Sequence, residues 1–340
     1  MQYRLSDFDY DLPGSQIAQH PLPDRSASRL LVLDRESSET RQLHFRDLPD
    51  LIPAGDLLVL NTSRVIPARL HGKRETGNPA ELLIVRELND GTWLAMGHPG
   101  GKLKPGRRIT FGDDSTAEIV EVLGGGLRRV RFVGALDARA TIAKYGAVPL
   151  PPYIRREPTS ADRERYQTVY ATHEGSVAAP TAGLHFTTDL LARIDEHGTL
   201  VTAVDLHVGP GTFKPVETEE LGSHTMHPEA YEISDGAASR INERRGKVWA
   251  VGTTVVRALE SAVDSAGNVQ STRAETRLFI RPPYDFKVVN HLVTNFHLPR
   301  STLLMLVCAF GGYDRVMAAY REAVREGYRF YSYGDAMVII

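Results

Sequence analysis

Cysteine is all but missing from this sequence: Cys308 is the single one in 340 residues. One thiol cannot close a disulfide within the chain, nor can it supply a cysteine-rich metal site. Long apolar runs are missing too; the longest candidate, Leu303 to Phe310, falls far short of the ~18 residues a membrane helix needs. Met1 to Tyr10 is acidic and polar, without the charged-then-apolar plan of a signal peptide. These absences set the expectation of a protein of the reducing cytoplasm with no membrane partner. An excess of one charge is absent as well: 40 Lys and Arg face 42 Asp and Glu, a net of −2, which carries no global nucleic-acid signature. No internal repeat or low-complexity tract breaks the chain.

What is present is ample material for a packed core, with 42% hydrophobic and 24% charged residues. Charge gathers locally between Lys102 and Arg131, where seven basic residues face Asp113, Asp114, Glu118 and Glu121. Such a stretch is either a phosphate-holding patch or an ordinary solvated strand face. From about Asn61 to Pro149, short runs such as Ala80–Val85, Ile109–Phe111 and Ala117–Val122 alternate with turn signals such as Asn89-Asp-Gly91 and Gly124-Gly-Gly126. Many short strands with tight turns argue for a small antiparallel barrel or sandwich. Pro149-Leu-Pro-Pro-Tyr153 marks a boundary, because proline lacks the ladder donor. Beyond it the texture becomes α/β. Lys247–Val251 predicts a strand feeding a helix over Val255–Val263, and Val288–Phe296 another strand. Ser301 is the expected cap of a helix ending at Gly311-Gly312, and Asp314 the expected cap of a helix over Arg315–Glu326. The expected organisation is a discontinuous α/β catalytic domain, 1–58 and 151–340, with an antiparallel β-barrel domain, 59–150, inserted in it.

Candidate chemistry lies in several blocks. Gly175 to Phe186 is rich in small residues, which let backbone approach a ligand closely, and ends in His185, a candidate base or donor, and Phe186. Leu200–Val208 alternates, so Asp205 and His207 share one strand face, Asp205 a candidate to orient His207, and the strand runs into Gly209-Pro-Gly-Thr-Phe213. His224-Thr-Met-His227 has metal-like spacing, but Pro228 breaks the helix it needs and no third nitrogen or sulfur ligand is near, so no metal is expected. Gly252-Thr-Thr254 at a predicted helix start offers N–H groups to an anion. It has no phosphate-loop lysine, which excludes ATP chemistry of that type. Arg257 and Glu260, three apart, are placed to pair with each other. Thr294-Asn-Phe-His297 joins an amide, a ring and an imidazole just past a strand.

Together these blocks resemble the S-adenosylmethionine:tRNA ribosyltransferase-isomerase (QueA) family of the queuosine pathway. The resemblance rests on Asp24-Arg-Ser-Ala-Ser-Arg-Leu31, Asn61-Thr-Ser-Arg-Val-Ile-Pro-Ala-Arg69, Pro149-Leu-Pro-Pro-Tyr-Ile154 and Tyr166-Gln-Thr-Val-Tyr170. It continues through Val177–Phe186, Leu206–Phe213, His224–Glu229, Val251–Arg257, Thr294–Thr302 and Tyr331–Met337. Between Gly72 and Gly146 it is loose, mostly a matter of strand pattern. The resemblance implies an α/β domain with an inserted barrel and S-adenosylmethionine as a consumed co-substrate rather than a cofactor. It implies a tRNA partner carrying 7-aminomethyl-7-deazaguanine at the wobble position, and epoxyqueuosine-tRNA, adenine and methionine as products. A monomer is expected.

On that basis His185, His207 and His297 are the candidates for proton transfer, with Asp205 orienting. Thr181, Gly183, Gly209, Gly211, Thr212 and Asn295 are candidate substrate contacts, with Phe186, Phe213 and Phe296 to hold a sulfonium or stack a base. Gly252, Thr253, Thr254 and Arg257 are candidates for the methionyl carboxylate or a tRNA phosphate. Arg25, Arg29, Arg64, Arg69, His224, His227 and Arg300 are candidate tRNA contacts. Two other readings remain: an ordinary methyltransferase, whose glycine signature is missing, and a non-catalytic RNA-binding module, which leaves the His- and Gly-rich blocks unexplained.

Overall fold

The computed structural model describes every residue except Met1, Gln2, Asp113, Pro210, 212–215 and Glu217. Thr212 and Phe213, two expected substrate contacts, therefore lie outside the described residues. The chain builds a mixed α/β arrangement: a nine-stranded sheet flanked by helices, and a ring of antiparallel strands. In the large sheet the order is Thr272–Thr276, Glu229–Ile233, Leu200–Leu206, Leu57–Asn61, Val248–Val251, His291–Asn295, Ala336–Ile339, Arg29–Leu33 and Thr40–His44. Its middle is parallel: Leu57–Asn61 pairs in parallel with Leu200–Leu206 on one side and Val248–Val251 on the other, which in turn pairs with His291–Asn295.

Parallel strands covered on both faces read as continuous apolar runs, and Leu57–Asn61 is buried at every position. Its residues divide by alternation. Leu57 and Val59 join one core with Val255, Leu259, Leu304, Val316 and Ile241; Leu58 and Leu60 join another with Phe45, Leu48, Phe186, Leu190 and Ile194. The first core is covered by helices Asp235–Glu243, Thr253–Ala262, Thr302–Gly311 and Tyr313–Arg325, the second by helix Thr188–Glu196 and the 3-10 turn Phe45–Leu51. The ring comprises Arg69–Arg74, Pro79–Glu87, Trp93–His98, Leu127–Gly134, Ser115–Leu123 and Arg108–Phe111, and closes where Lys73 and Arg74 meet Thr110 and Ile109. Alternation fills its interior with Ala80, Leu82, Ile84, Ile109, Phe111, Ala117, Ile119 and Val130.

Several local expectations shift. The boundary expected at 58–59 falls inside strand Leu57–Asn61, which is wholly part of the large sheet. The strand expected over Val288–Phe296 spans only His291–Asn295, because the Val288 and Val289 N–H groups donate to the Glu260 carboxylate rather than to a ladder. Ser301 caps helix Thr302–Gly311 by accepting the Leu304 N–H at 3.2 Å, as expected. Asp314 is not a cap: helix Tyr313–Arg325 starts two residues before the expected Arg315, after Gly312 at φ 85°, and Asp314 sits in its first turn.

Candidate active site

In open α/β sheets the loops at the carboxyl ends of parallel strands form the ligand crevice. Here those ends are Asn61, Leu206, Val251 and Asn295, and each leads into a block singled out from sequence. Asn61, fully buried, ties three of them together. Its amide donates to Leu206 O (3.0 Å) and Thr254 Oγ1 (3.2 Å), while its oxygen accepts the Leu206 and Ser63 N–H groups, both at 3.1 Å. Ser176 adds a further tie by accepting the Val208 N–H at 2.8 Å.

Over these ends lies a cavity of about 690 Å³, within the range of small-molecule sites, roughly 300–1,000 Å³. Thr181, Gly252, Thr253, Thr254, Arg257, Asn295, His297 and Arg300 of the expected site line it. So do Tyr153, Glu229, Ser301, Thr302 and Tyr331, which were not singled out as substrate contacts although all five lie inside the motif blocks that carry the resemblance. Arg257 does not pair with Glu260. Its Nε donates to Leu278 O at 3.1 Å and its Nη1 to the Glu229 carboxylate, while Glu260 receives the N–H groups of Lys287, Val288 and Val289. Helical spacing favoured a local pair, but strand Glu229–Ile233 presents a buried carboxylate that only the fold brings close. His297 is buried on the cavity wall with Nε2 2.8 Å from Thr294 Oγ1, and burial lowers its pKa to about 3, so the ring is neutral at physiological pH.

A second, larger cleft of about 950 Å³ lies between the ring and the sheet. His207, Gly209, Gly211 and His227 line it from the sheet side, with Arg86, Trp93 and Arg139 from the ring. Val208 and Glu229 line both cleft and cavity and form a shared wall. The His207 ring packs on Gly175, where a Cβ would lie 2.9 Å from its Cε1 and Nδ1. That Nδ1 has no hydrogen-bond partner, and burial lowers the His207 pKa, with Asp205 opposing the shift. Asp205 does not orient His207 through a hydrogen bond: it accepts from Thr62 Oγ1 at 2.8 Å and lies 2.8 Å from His173 Nδ1. His227 sits where a Cβ on Gly211 would fall, 2.6 Å away.

Other expected residues lie elsewhere. His185 is buried beneath the cavity, stacked on Phe45 at 4.9 Å, with Nε2 3.2 Å from the Asn295 amide, and burial takes its pKa to about 3. Gly183 packs against Tyr170. Phe186 and Phe296 are fully buried core residues, the latter in a cluster with Tyr320, Tyr328 and Phe330, so neither is placed to stack on a ligand. Four of the arginines are held by the protein. Arg25 donates to Leu184 O and Glu164 O; Arg29 donates to Glu326 O and lies 3.6 Å over the Tyr328 ring; Arg69 faces Glu81 at 3.5 Å; Arg300 meets Asp9 at 2.6 Å. Arg64 is exposed, and His224 packs edge-on against Phe279. In the basic stretch, Arg107, Arg108 and Arg129 pair with acidic side chains and Arg128 is buried against backbone carbonyls, the strand-face alternative rather than a phosphate patch. Among the described residues, no group of three or more His, Cys, Asp or Glu is placed to hold a metal.

Comparison with known proteins covers the whole arrangement. Residues 5–339 match the family described as queuosine biosynthesis protein. The S-adenosylmethionine:tRNA ribosyltransferase-isomerase of Anaeromyxobacter dehalogenans (strain 2CP-1 / ATCC BAA-258) is 51% identical over 344 residues, 99% of each chain. The protein of that name from Anaeromyxobacter sp. (strain Fw109-5) is 52% identical over 348 residues, again 99% of each. The crystal structure of S-adenosylmethionine tRNA ribosyltransferase from Thermotoga maritima matches with a TM-score of 0.57 at 37% identity, over 98% of this chain and 100% of that one.

Proposed function

The chain belongs to the queuosine biosynthesis protein family, and from that premise we propose that it transfers and isomerises the ribosyl moiety of S-adenosylmethionine onto 7-aminomethyl-7-deazaguanine at the tRNA wobble position. Adenine and methionine leave, and epoxyqueuosine remains in the tRNA. The observation that carries this reading is the shared wall: a cavity of about 690 Å³ within the large domain, the size of a small donor's site, and a larger cleft between sheet and ring meet at Val208 and Glu229. Donor and acceptor enter from opposite sides of one strand end.

The donor itself supplies the reactivity. Its sulfonium acidifies the adjacent CH2, so a neutral base beside it removes a proton, and the departing adenine must receive one. His297 is neutral on the cavity wall and binds a proton weakly there. It suits a relay that takes the carbon-bound proton and passes it to adenine rather than keeping it. His207, neutral in the cleft, suits the other task of accepting the ammonium proton of the acceptor, so that a neutral amine attacks. No step in this scheme requires a metal or redox cofactor. A wobble base reaching the wall must be extruded from its stack, as single-stranded RNA bases commonly are when read by proteins. Exposed Arg64 and the cleft residue His227 keep the tRNA-contact role, whereas Arg25, Arg29, Arg69 and Arg300 shape the surface through their protein contacts.

In this reading the ring, whose strands run from Arg69 to Gly134, is an inserted β-barrel domain that forms the far side of the cleft, and the remainder is the catalytic domain. The protein acts as a cytoplasmic monomer. The test is product analysis: adenine and methionine appear together only when S-adenosylmethionine is supplied with tRNA bearing the 7-aminomethyl-7-deazaguanine base. S-adenosylhomocysteine as product, or tRNA binding with no adenine released, contradicts the proposal.

A further inference from the structure

Arg257 is 5% exposed and lines the cavity at the strand ends. Two of its nitrogens are engaged, Nε by Leu278 O and Nη1 by Glu229, but Nη2 is buried with no hydrogen-bond partner. An unsatisfied donor on a buried charged group is costly, so the site is built to receive an acceptor. Arg257 follows Thr253 and Thr254 by four and three residues and so shares their helix face. At that helix start Gly252 provides no side-chain cap, and Thr253 and Thr254, whose N–H groups open the first turn, border the same cavity. The start of helix Thr302–Gly311 borders it as well. Each helix start carries roughly half a positive charge.

We propose that Arg257 Nη2 and these two helix starts form a subsite for one carboxylate, the α-carboxylate of the donor's amino-acid half. The inference rests on the functional reading above and deepens it by choosing carboxylate over phosphate. Glu229 is a positioning residue. It fixes the guanidinium through Nη1, is itself fixed by the Gly209 N–H at 3.2 Å, and places a negative charge beside the subsite. A carboxylate, with one charge, is held by the remaining donors; a phosphate, with nearly two, is repelled by Glu229. The donor's own cationic centres lie on the same molecule and further favour the zwitterionic ligand over a bare anion.

The experiment compares binding of S-adenosylmethionine and its decarboxylated analogue by isothermal titration calorimetry. The wild type is expected to prefer the carboxylate-bearing donor about tenfold or more, as for a hydrogen-bonded charged pair. The double variant Arg257→Gln/Glu229→Gln, which leaves no buried charge uncompensated, is expected to reduce that ratio to about threefold or less. An unchanged ratio in a double variant that melts cooperatively, or no preference in the wild type, overturns the subsite. Glu229→Gln alone is expected to admit inorganic phosphate as a competitor of S-adenosylmethionine that the wild type excludes; absence of competition overturns the part assigned to Glu229. Adenine release by the wild type with modified tRNA is measured alongside. If release occurs while the ratio fails to move, the subsite is wrong and the activity stands; if release fails, the activity is wrong whatever the ratio.

Discussion

In the ring, Arg107 meets Glu75, Arg108 meets Glu118 and Arg129 meets Glu121, all with solvent at hand. Around the carboxyl ends of the sheet's parallel strands, Arg257, Asn295, His207 and Tyr331 carry buried polar atoms with no partner, whereas the ring's unpartnered atoms, the Nε of Arg69, Arg74 and Arg129, border neither the cavity nor the cleft. The first arrangement contributes little beyond solubility, since exposed pairs are each worth about 0–1 kcal/mol. The second holds charge and hydrogen-bonding capacity away from water at a cost that only a ligand offsets. The comparison teaches where this protein keeps its chemistry: at the strand ends, with the ring supplying a wall.

The largest expected effect sharpens the contrast in ionic pairs. Asp162 is buried, and although burial opposes its charge, Arg156, Thr159 and Tyr333 hold its carboxyl well below the usual carboxylate range. Arg156→Ala strands that carboxylate and is expected to cost about 4 kcal/mol by urea unfolding. Arg129→Ala, in the ring, is the counterpart at the bottom of the scale. Next comes Asn61→Leu, which leaves the Leu206 and Ser63 N–H groups and Leu206 O without their partner. It is expected to lose about 3 kcal/mol and to lower adenine release.

Acid sharpens the comparison further, because the sheet side alone holds these buried imidazoles. His185 and His297 fall from 6.5 to about 3 through burial. A depressed folded pKa means the unfolded chain binds the proton first. Their contribution is therefore complete above about pH 6.5 and lost as pH falls towards 3. Asp162 acts in the same direction at lower pH, its contribution complete above the ordinary Asp value of 3.8 and lost below it. Melting temperature is expected to drop steadily below pH 6.5, and His185→Phe to flatten the slope between the two values.

Gly175→Ala probes geometry without touching charge. Its φ of 144° and the His207 ring 2.9 Å from the new Cβ force the imidazole to move. Turnover is expected to fall on the order of tenfold to a hundredfold with tRNA binding retained in a filter assay. The smallest effect is Arg129→Ala, expected below about 1 kcal/mol in the same unfolding measurement. A loss there as large as that of Arg156→Ala would break the comparison.

Much of the scaffold is legible in the chain. Leu57–Leu60 and Lys247–Val251 announce buried strands by apolar continuity, Ser301 announces a helix start, and the alternation at Val204, Leu206 and Val208 is the buried face observed. What was not legible depends on partners distant in sequence. Spacing proposed Arg257 with Glu260 and Asp205 with His207, but strand order delivers Glu229 to Arg257 and His173 to Asp205. Phe186 and Phe296 read as ligand platforms in the sequence; in the fold Phe186 joins the core with Phe45 and Leu190 and Phe296 the core with Tyr320 and Phe330 instead. Tyr331 and Tyr153 line the cavity only because strand Ala336–Ile339 and the proline-rich turn converge there.

Hydrogen exchange read by mass spectrometry, with and without S-adenosylmethionine, tests most directly whether the cavity at the strand ends holds the donor. Protection is expected to concentrate in residues 178–182, 252–257 and 294–303, with the ring strands between 69 and 134 unchanged. Protection confined to the ring, with those three segments exchanging as in the free protein, would contradict the account.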